Sequence, residues 1–185
     1  MKQLLFTLFS LFAFTGLQAQ DVPTDALYGV GTWNADSLGN HRVVVAVDKP
    51  ADAVLATIEW RRRDLDPEAK NLIVVDAATG ERVTNVCRFA IDRERGEVVF
   101  QPQTVPGEYY IYYLKNVMSG SPYYPTVNYP AFENTASADW IKKNKLSGKK
   151  APALPAAKVV QFQAINELNS FYPMEVIATS KETAQ

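Results

Sequence analysis

The chain of 185 residues contains a single cysteine, Cys87, and a single histidine, His41. One cysteine excludes a disulfide within the chain, and one Cys with one His cannot make up a zinc ligand set. A Ser-His-Asp triad would have to be built on His41 alone. An excess of charge of either sign is also missing, with 19 basic against 20 acidic residues and a formal net charge of -1. A near-neutral, slightly acidic chain gains little from the phosphate field, so nucleic acid is excluded as a partner. A phosphate-cradling loop is missing: Gly29-Val30-Gly31-Thr32 lacks both the third glycine and the lysine. No Asn-x-Ser/Thr sequon occurs. The 47% hydrophobic content, 9 Gly and 11 Pro are ordinary for a globular chain and exclude disorder, collagen and repeat arrays. The length favours one domain, two at most.

What is present begins with a leader. Lys2 supplies a positive start, Leu4 to Phe14 is almost unbroken apolar, and Gly16-Leu17-Gln18-Ala19 offers a small residue for cleavage. Residues 1–19 are therefore expected to be a signal peptide, with export to the periplasm or beyond. The apolar run falls short of the ~20 residues that span a bilayer, so no membrane anchor is expected. No cysteine follows the cleavage point to carry a lipid.

From Asp36 to Leu114 the chain reads as short strands with turns every 8–12 residues. Asp36-Ser37-Leu38-Gly39-Asn40 is a turn cluster. Val43, Val45 and Val47 face one way, with Arg42, Val44 and Ala46 opposite. Val54, Ala56, Ile58 and Trp60 point inward against Thr57 and Glu59. This period of two marks half-buried strands. Asn71 to Asp76, apolar at its centre, suits a central strand. After Thr79-Gly80, residues 81–91 suggest one bent strand with Cys87, Phe89 and Ile91 on one face. Arg93-Glu94-Arg95-Gly96 turns into Glu97–Gln101, and Pro106-Gly107 precedes a strand from Glu108 to Lys115. The spacing predicts an all-β fold, an antiparallel β-sandwich of immunoglobulin-like or jelly-roll type.

Residues 116–155 change character. Pro122, Pro125, Pro130, Pro152 and Pro155 punctuate a long irregular loop. One short helix interrupts it, with Ser137 as N-cap, Asp139 in the first turn, and Lys142, Lys143 and Lys145 near an end set by Gly148. The domain is expected over 20–155. Residues 156–185 carry final strands, Ala157–Phe162 and Met174–Ala178, that complete the sandwich or begin a connection to the next unit.

Several phrases, in order, give a resemblance. They are Leu38-Gly39-Asn40-His41-Arg42, Trp60-Arg61-Arg62-Arg63-Asp64, Val74-Val75-Asp76 with Thr79-Gly80, Val99-Phe100-Gln101-Pro102, Pro106-Gly107-Glu108-Tyr109-Tyr110 running into Tyr112-Tyr113-Leu114, and Phe171-Tyr172-Pro173-Met174-Glu175-Val176-Ile177-Ala178-Thr179. Together they resemble the N-terminal domain of glycoside hydrolase family 123, over roughly residues 36–180. The resemblance implies a β-sandwich ahead of a catalytic (β/α)8 barrel that removes terminal N-acetyl-β-galactosamine. It also implies a substrate-assisted mechanism with Asp and Glu on that barrel. The carboxylates belong to the barrel, so no catalytic residue is carried over to this chain. The expectation is a non-catalytic domain of an exported glycoside hydrolase, here without its barrel. The alternative is a stand-alone carbohydrate- or protein-binding immunoglobulin-like module.

No cofactor or metal is assigned. Arg61, Arg62 and Arg63 beside Trp60 could grip an anionic sugar or a carboxylate-bearing domain surface. The alternative is pairing with Asp64, Asp66 and Glu68, around a core Trp60. Those three acids alternate as in a calcium loop, but lack its glycine and longer ligand series. The adjacent arginines would lower their pKa values, which argues against acid–base chemistry there. In Glu108–Leu114, Tyr109, Ile111 and Tyr113 share one face, either a sugar platform or a core strand with hydroxyls tied to backbone. Tyr123, Tyr124, Tyr129, Phe132 and Trp140 lie on the irregular stretch, where loops carry function. They touch sugar, meet a following barrel, or staple the loop down. Tyr123, Tyr124 and Trp140 with the three arginines form the candidate contact set for sugar or a neighbouring domain. His41 reads as structural, Cys87 as a buried inert thiol, and Lys142–Lys150 as a solvated face.

Overall fold

A computed structural model describes residues 27–62, 64–113 and 115–166. The expected leader, and the strand expected at Met174–Ala178, lie outside the described residues. The fold is all-β, with ten strands, two short helices and one 3₁₀ turn among the described residues. The strands are β1 (Leu27–Val30), β2 (His41–Val47), β3 (Val54–Ile58), β4 (Ile73–Asp76), β5 (Val86–Ile91), β6 (Gly96–Phe100), β7 (Gly107–Tyr112), β8 (Val117–Ser121), β9 (Tyr124–Asn128) and β10 (Ala156–Ala164). The helices are α1 (Ala35–Leu38) and α2 (Ala138–Lys143), and the 3₁₀ turn is Pro67–Ala69.

Eight strands form one curled sheet in the order β4-β7-β2-β10-β3-β6-β5, with β1 added beside β10. β10 is the pivot. Its first residues run parallel to β3, pairing Ala156 with Leu55 and Ala157 with Ala56. Its later residues run antiparallel to β2, pairing Val159 with Val45 and Ala164 with His41. The pairing passes from β3 to β2 between Ala157 and Lys158, and the register then slips between Val159 and Gln161, leaving Val160 as a bulge. The two halves then face each other as a sandwich. The alternation read from sequence sets the core: Val43, Val45 and Val47 of β2 pack with Val54, Ala56 and Ile58 of β3, Val98 and Phe100 of β6, and Tyr109 and Ile111 of β7. Pairing is mainly antiparallel; β1–β10 and β10–β3 are parallel.

Several local expectations are corrected. The turn cluster after Asn34 is one turn of helix, α1, capped by the Asn34 side chain at its start and by Gly39 at its end, where φ is 82°. A second helix thus joins the one expected. β4 is an edge strand rather than a central one. It reads as central because residues 82–83 cover its free side: Val83 N–H donates to the Val74 carbonyl at 2.8 Å, and Val75 bridges to Arg82. In β5 the register slips between Arg88 and Ile91. Ile91 therefore joins the main core while Cys87 and Phe89 pack on the opposite face. The stretch from residue 116 is not wholly irregular, since β8 and β9 form a hairpin. Pro125 is tolerated inside β9 because a two-stranded sheet leaves a free edge on each strand. α2 begins at Ser137, whose Oγ accepts from Trp140 N–H at 3.3 Å. It ends before Gly148, at Asn144 and a left-handed Lys145 with φ 57°.

Candidate functional site

The aromatic strand β7 is core, not platform. Tyr109, Ile111 and Tyr113 are buried. The Tyr109 hydroxyl donates to the Thr104 carbonyl at 2.7 Å and accepts from Gln103 N–H at 2.7 Å and Thr104 N–H at 2.8 Å. That is the geometry of a tyrosine corner, a side chain locking the backbone just upstream of its own strand.

Trp140 is likewise committed. It is 5% exposed, and its indole N–H donates to the Asp52 carbonyl at 2.8 Å. With Leu146 it packs on Ala53 and Val99, beside Leu55, Cys87 and Phe89, so α2 covers the outer face of the β3-β6-β5 half. Burial raises the pKa of the Cys87 thiol in this contact.

The hairpin is the opposite case. Tyr123 and Tyr124 at its tip are 87% and 83% exposed, with Val117, Val127 and Tyr129 also exposed behind them. Among the described residues these five make up most of the exposed large apolar side chains. Such grouping marks an interaction surface rather than scattered surface residues.

At the base of this hairpin lies a cationic cluster. Arg62 is 4% exposed and forks onto Asp64, with Nε–Oδ1 at 2.9 Å and Nη2–Oδ2 at 2.7 Å. Lys70 Nζ reaches the same Oδ2 at 2.7 Å, donates to the Leu65 carbonyl, and lies 4.3 Å from the Tyr129 ring centre. Arg88 Nη1 donates to the Lys70 carbonyl at 2.8 Å, and its guanidinium stacks on Phe132 at 3.5 Å. Burial opposes ionisation of Asp64, but the bonds from Arg62 and Lys70 outweigh it and hold its pKa below the ordinary value. Arg88 is pushed down to about 10, by burial first and by the Arg62 charge second.

A strap of residues 130–137 holds the cluster in place between the two edge strands. Asn71 N–H donates to the Pro130 carbonyl at 2.9 Å and Phe132 N–H to the Ala69 carbonyl at 3.2 Å. Further along, Thr135 Oγ1 donates to the Thr84 carbonyl, and Ser137 N–H donates to Asn85 Oδ1, both at or under 2.9 Å.

Of the expected contact residues, the structure brings Arg62, Tyr123 and Tyr124 to one end of the sandwich. Trp140 is on the outer face of the other half, Arg61 is half-buried, and Arg63 lies outside the described residues. Asp64 is taken by Arg62 and Lys70, and Glu68 is exposed. Among the described residues no three His, Cys, Asp or Glu side chains converge to hold a metal. Sequence reasoning missed Lys70 and Arg88 as partners, while Phe132, one of the loop aromatics it named, meets Arg88. Arg88 had a signal: it shares the inward parity of Val86 on β5. Arg42 lies on the face opposite Val43, as the alternation predicts, and there it is sandwiched between Trp33 and Tyr110 at 4.5 and 3.8 Å and bonded to Gln163 at 2.6 Å.

No helix among the described residues is long and apolar enough to cross a membrane. Comparison with curated proteins and with solved structures returned no match. A family model, glycoside hydrolase 123, N-terminal domain, matches residues 31–165, from the end of β1 to the end of β10. The match spans the hairpin and every strand of the curled sheet except β1, and the chain belongs to that family of glycoside hydrolase N-terminal domains.

Proposed function

We propose that this chain is the non-catalytic N-terminal domain of an exported glycoside hydrolase of the N-acetyl-β-galactosaminidase class, and that it braces a catalytic (β/α)8 barrel. Membership of an N-terminal domain family implies a catalytic domain in the parent proteins. The observation that carries the bracing role is one of placement. β10 ends beside the start of β2, where Ile165 N–H donates to the Asn40 carbonyl at 2.9 Å. β7 ends at the same level, with Tyr112 paired to Arg42, and leads into the hairpin. The chain therefore leaves the sandwich at the end that carries Tyr123, Tyr124 and the arginine cluster. A following domain would meet those tyrosines first.

The carboxylates with shifted pKa values support a role without chemistry. Asp52, Asp64 and Asp76 are all held below the ordinary value. A glycosidase acid needs the reverse, a carboxyl kept protonated near neutrality. The deciding experiment compares the full gene product with the isolated chain on an aryl N-acetyl-β-galactosaminide. The expected result is hydrolysis by the former only, weakened when Tyr123 and Tyr124 are both changed to alanine. Turnover by the isolated chain overturns the reading.

The exposure of Tyr123 and Tyr124 also favours a second reading, a stand-alone binding module whose tyrosines stack on sugar rings. Saturable binding of the isolated chain on a glycan array, lost in the double alanine variant, selects it.

A further inference from the structure

We propose that the arginine cluster beneath the hairpin is a receptor for one carboxylate or similar oxyanion, received between Arg62 and Arg88. Arg62 Nη1 and Arg88 Nε are buried and have no hydrogen-bond partner among the described residues. A guanidinium has five donors and no acceptor capacity, and a buried donor left unmade costs free energy. Arg62 spends Nε and Nη2 on Asp64. Arg88 spends Nη1 on the Lys70 carbonyl.

The charges agree with the donors. Arg62 and Lys70 share a single carboxylate, Asp64, while Arg88 is bonded to the Lys70 backbone carbonyl and has no carboxylate within bonding distance among the described residues. Glu68 acts on Arg88 only from a distance and is itself exposed. Burial first, and the Arg62 charge second, depress the Arg88 pKa. A bound water could accept from these N–H groups but would not relieve the charge. An oxyanion does both, and charge-assisted bonds to guanidinium are the stronger kind. Aromatic rings flank both guanidiniums: Phe132 backs Arg88, and the Arg62 guanidinium lies 4.9 Å from the Trp60 ring centre and 5.3 Å from that of Tyr113.

The test reads the guanidinium N–H resonances directly, using the ¹⁵N-labelled protein titrated with sodium acetate against sodium chloride at equal ionic strength. The expected result is a saturable downfield shift of Arg88 Nε–H and an Arg62 Nη–H with acetate and not with chloride. Arg88→Lys keeps the charge but removes the Nε donor, and the Arg62 shift is then lost. Signals already downfield in chloride, with a coupling across the hydrogen bond to a carboxyl carbon, assign the receptor to a carboxylate of the chain itself. Signals that acetate leaves unmoved, and that show no such coupling, overturn the proposal.

Discussion

Gly96 lies flat against the indole of Trp60. A Cβ built on Gly96 would stand 2.4 Å from the ring. The indole cannot retreat easily, because it packs on Tyr113 at 5.0 Å and its N–H donates to the Asp92 carbonyl at 2.8 Å. Gly96→Ala is therefore expected to destabilise by about 1–3 kcal/mol through overpacking. Denaturant unfolding checks this. A variant as stable as the parent would mean that Trp60 is not held there.

The two groups of aromatic candidates should separate by stability. Trp140→Ala removes a buried ring and orphans the Asp52 carbonyl, with an expected loss of about 3–5 kcal/mol. Tyr124→Ala touches an exposed tip and is expected to stay within about 0.5 kcal/mol. Thermal or urea unfolding of the isolated chain distinguishes them.

Tyr109→Phe tests the corner. The ring still packs on Phe100, at 4.9 Å between centroids. Thr104 N–H keeps Asp76 Oδ2 at 3.1 Å, but Gln103 N–H and the Thr104 carbonyl each lose the hydroxyl. A loss of about 1–3 kcal/mol is expected for the groups left unmade. A neutral substitution would show that water replaces the hydroxyl at no cost.

The way these side chains were legible differs by element. Strands β2 and β3 show a period of two that separates Val43–Val45–Val47 and Val54–Ala56–Ile58 onto one face each, whereas in β7 spacing puts Tyr109, Ile111 and Tyr113 on one face without deciding between core and sugar platform; their burial decides it. The hydroxyl locks of Tyr109 follow from the same burial. The errors came where a distant segment decides the outcome. β4 looks central because residues 82–83 shield it. The bulge in β5 reverses the face of Ile91 relative to Phe89, and no local signal marks it. Arg62 with Asp64 is legible as a local pair and Lys70 joins the same carboxylate from nearby, but Arg88 and Phe132 reach the cluster from β5 and the strap, across separations that spacing does not encode.

Acid should weaken the fold in a defined direction. Burial alone would raise the Asp76 pKa, but bonds from Thr104, Ala78 and Thr79 outweigh it and hold it below its ordinary 3.8. Asp64 is depressed by Arg62 and Lys70, and Asp52 by Asn144 and Lys143. A carboxyl depressed in the folded state contributes fully above its unfolded pKa, and the contribution fades as pH falls through the folded value. Stability is expected to be flat in this respect above about pH 5 and to fall below about pH 4. Asp76→Asn should be less stable near neutrality and show a shallower acid decline in urea unfolding at a series of pH values.

The position of β10 has a consequence for biosynthesis. It is the last described strand in the chain, yet it sits in the middle of the sheet order, joining β2 to β3. A nascent polypeptide that has not yet emerged past Ala164 has two half-sheets with nothing to zip them together. Completion of the domain must wait for β10, so the two half-sheets cannot close until the residues through Ala164 have left the ribosome.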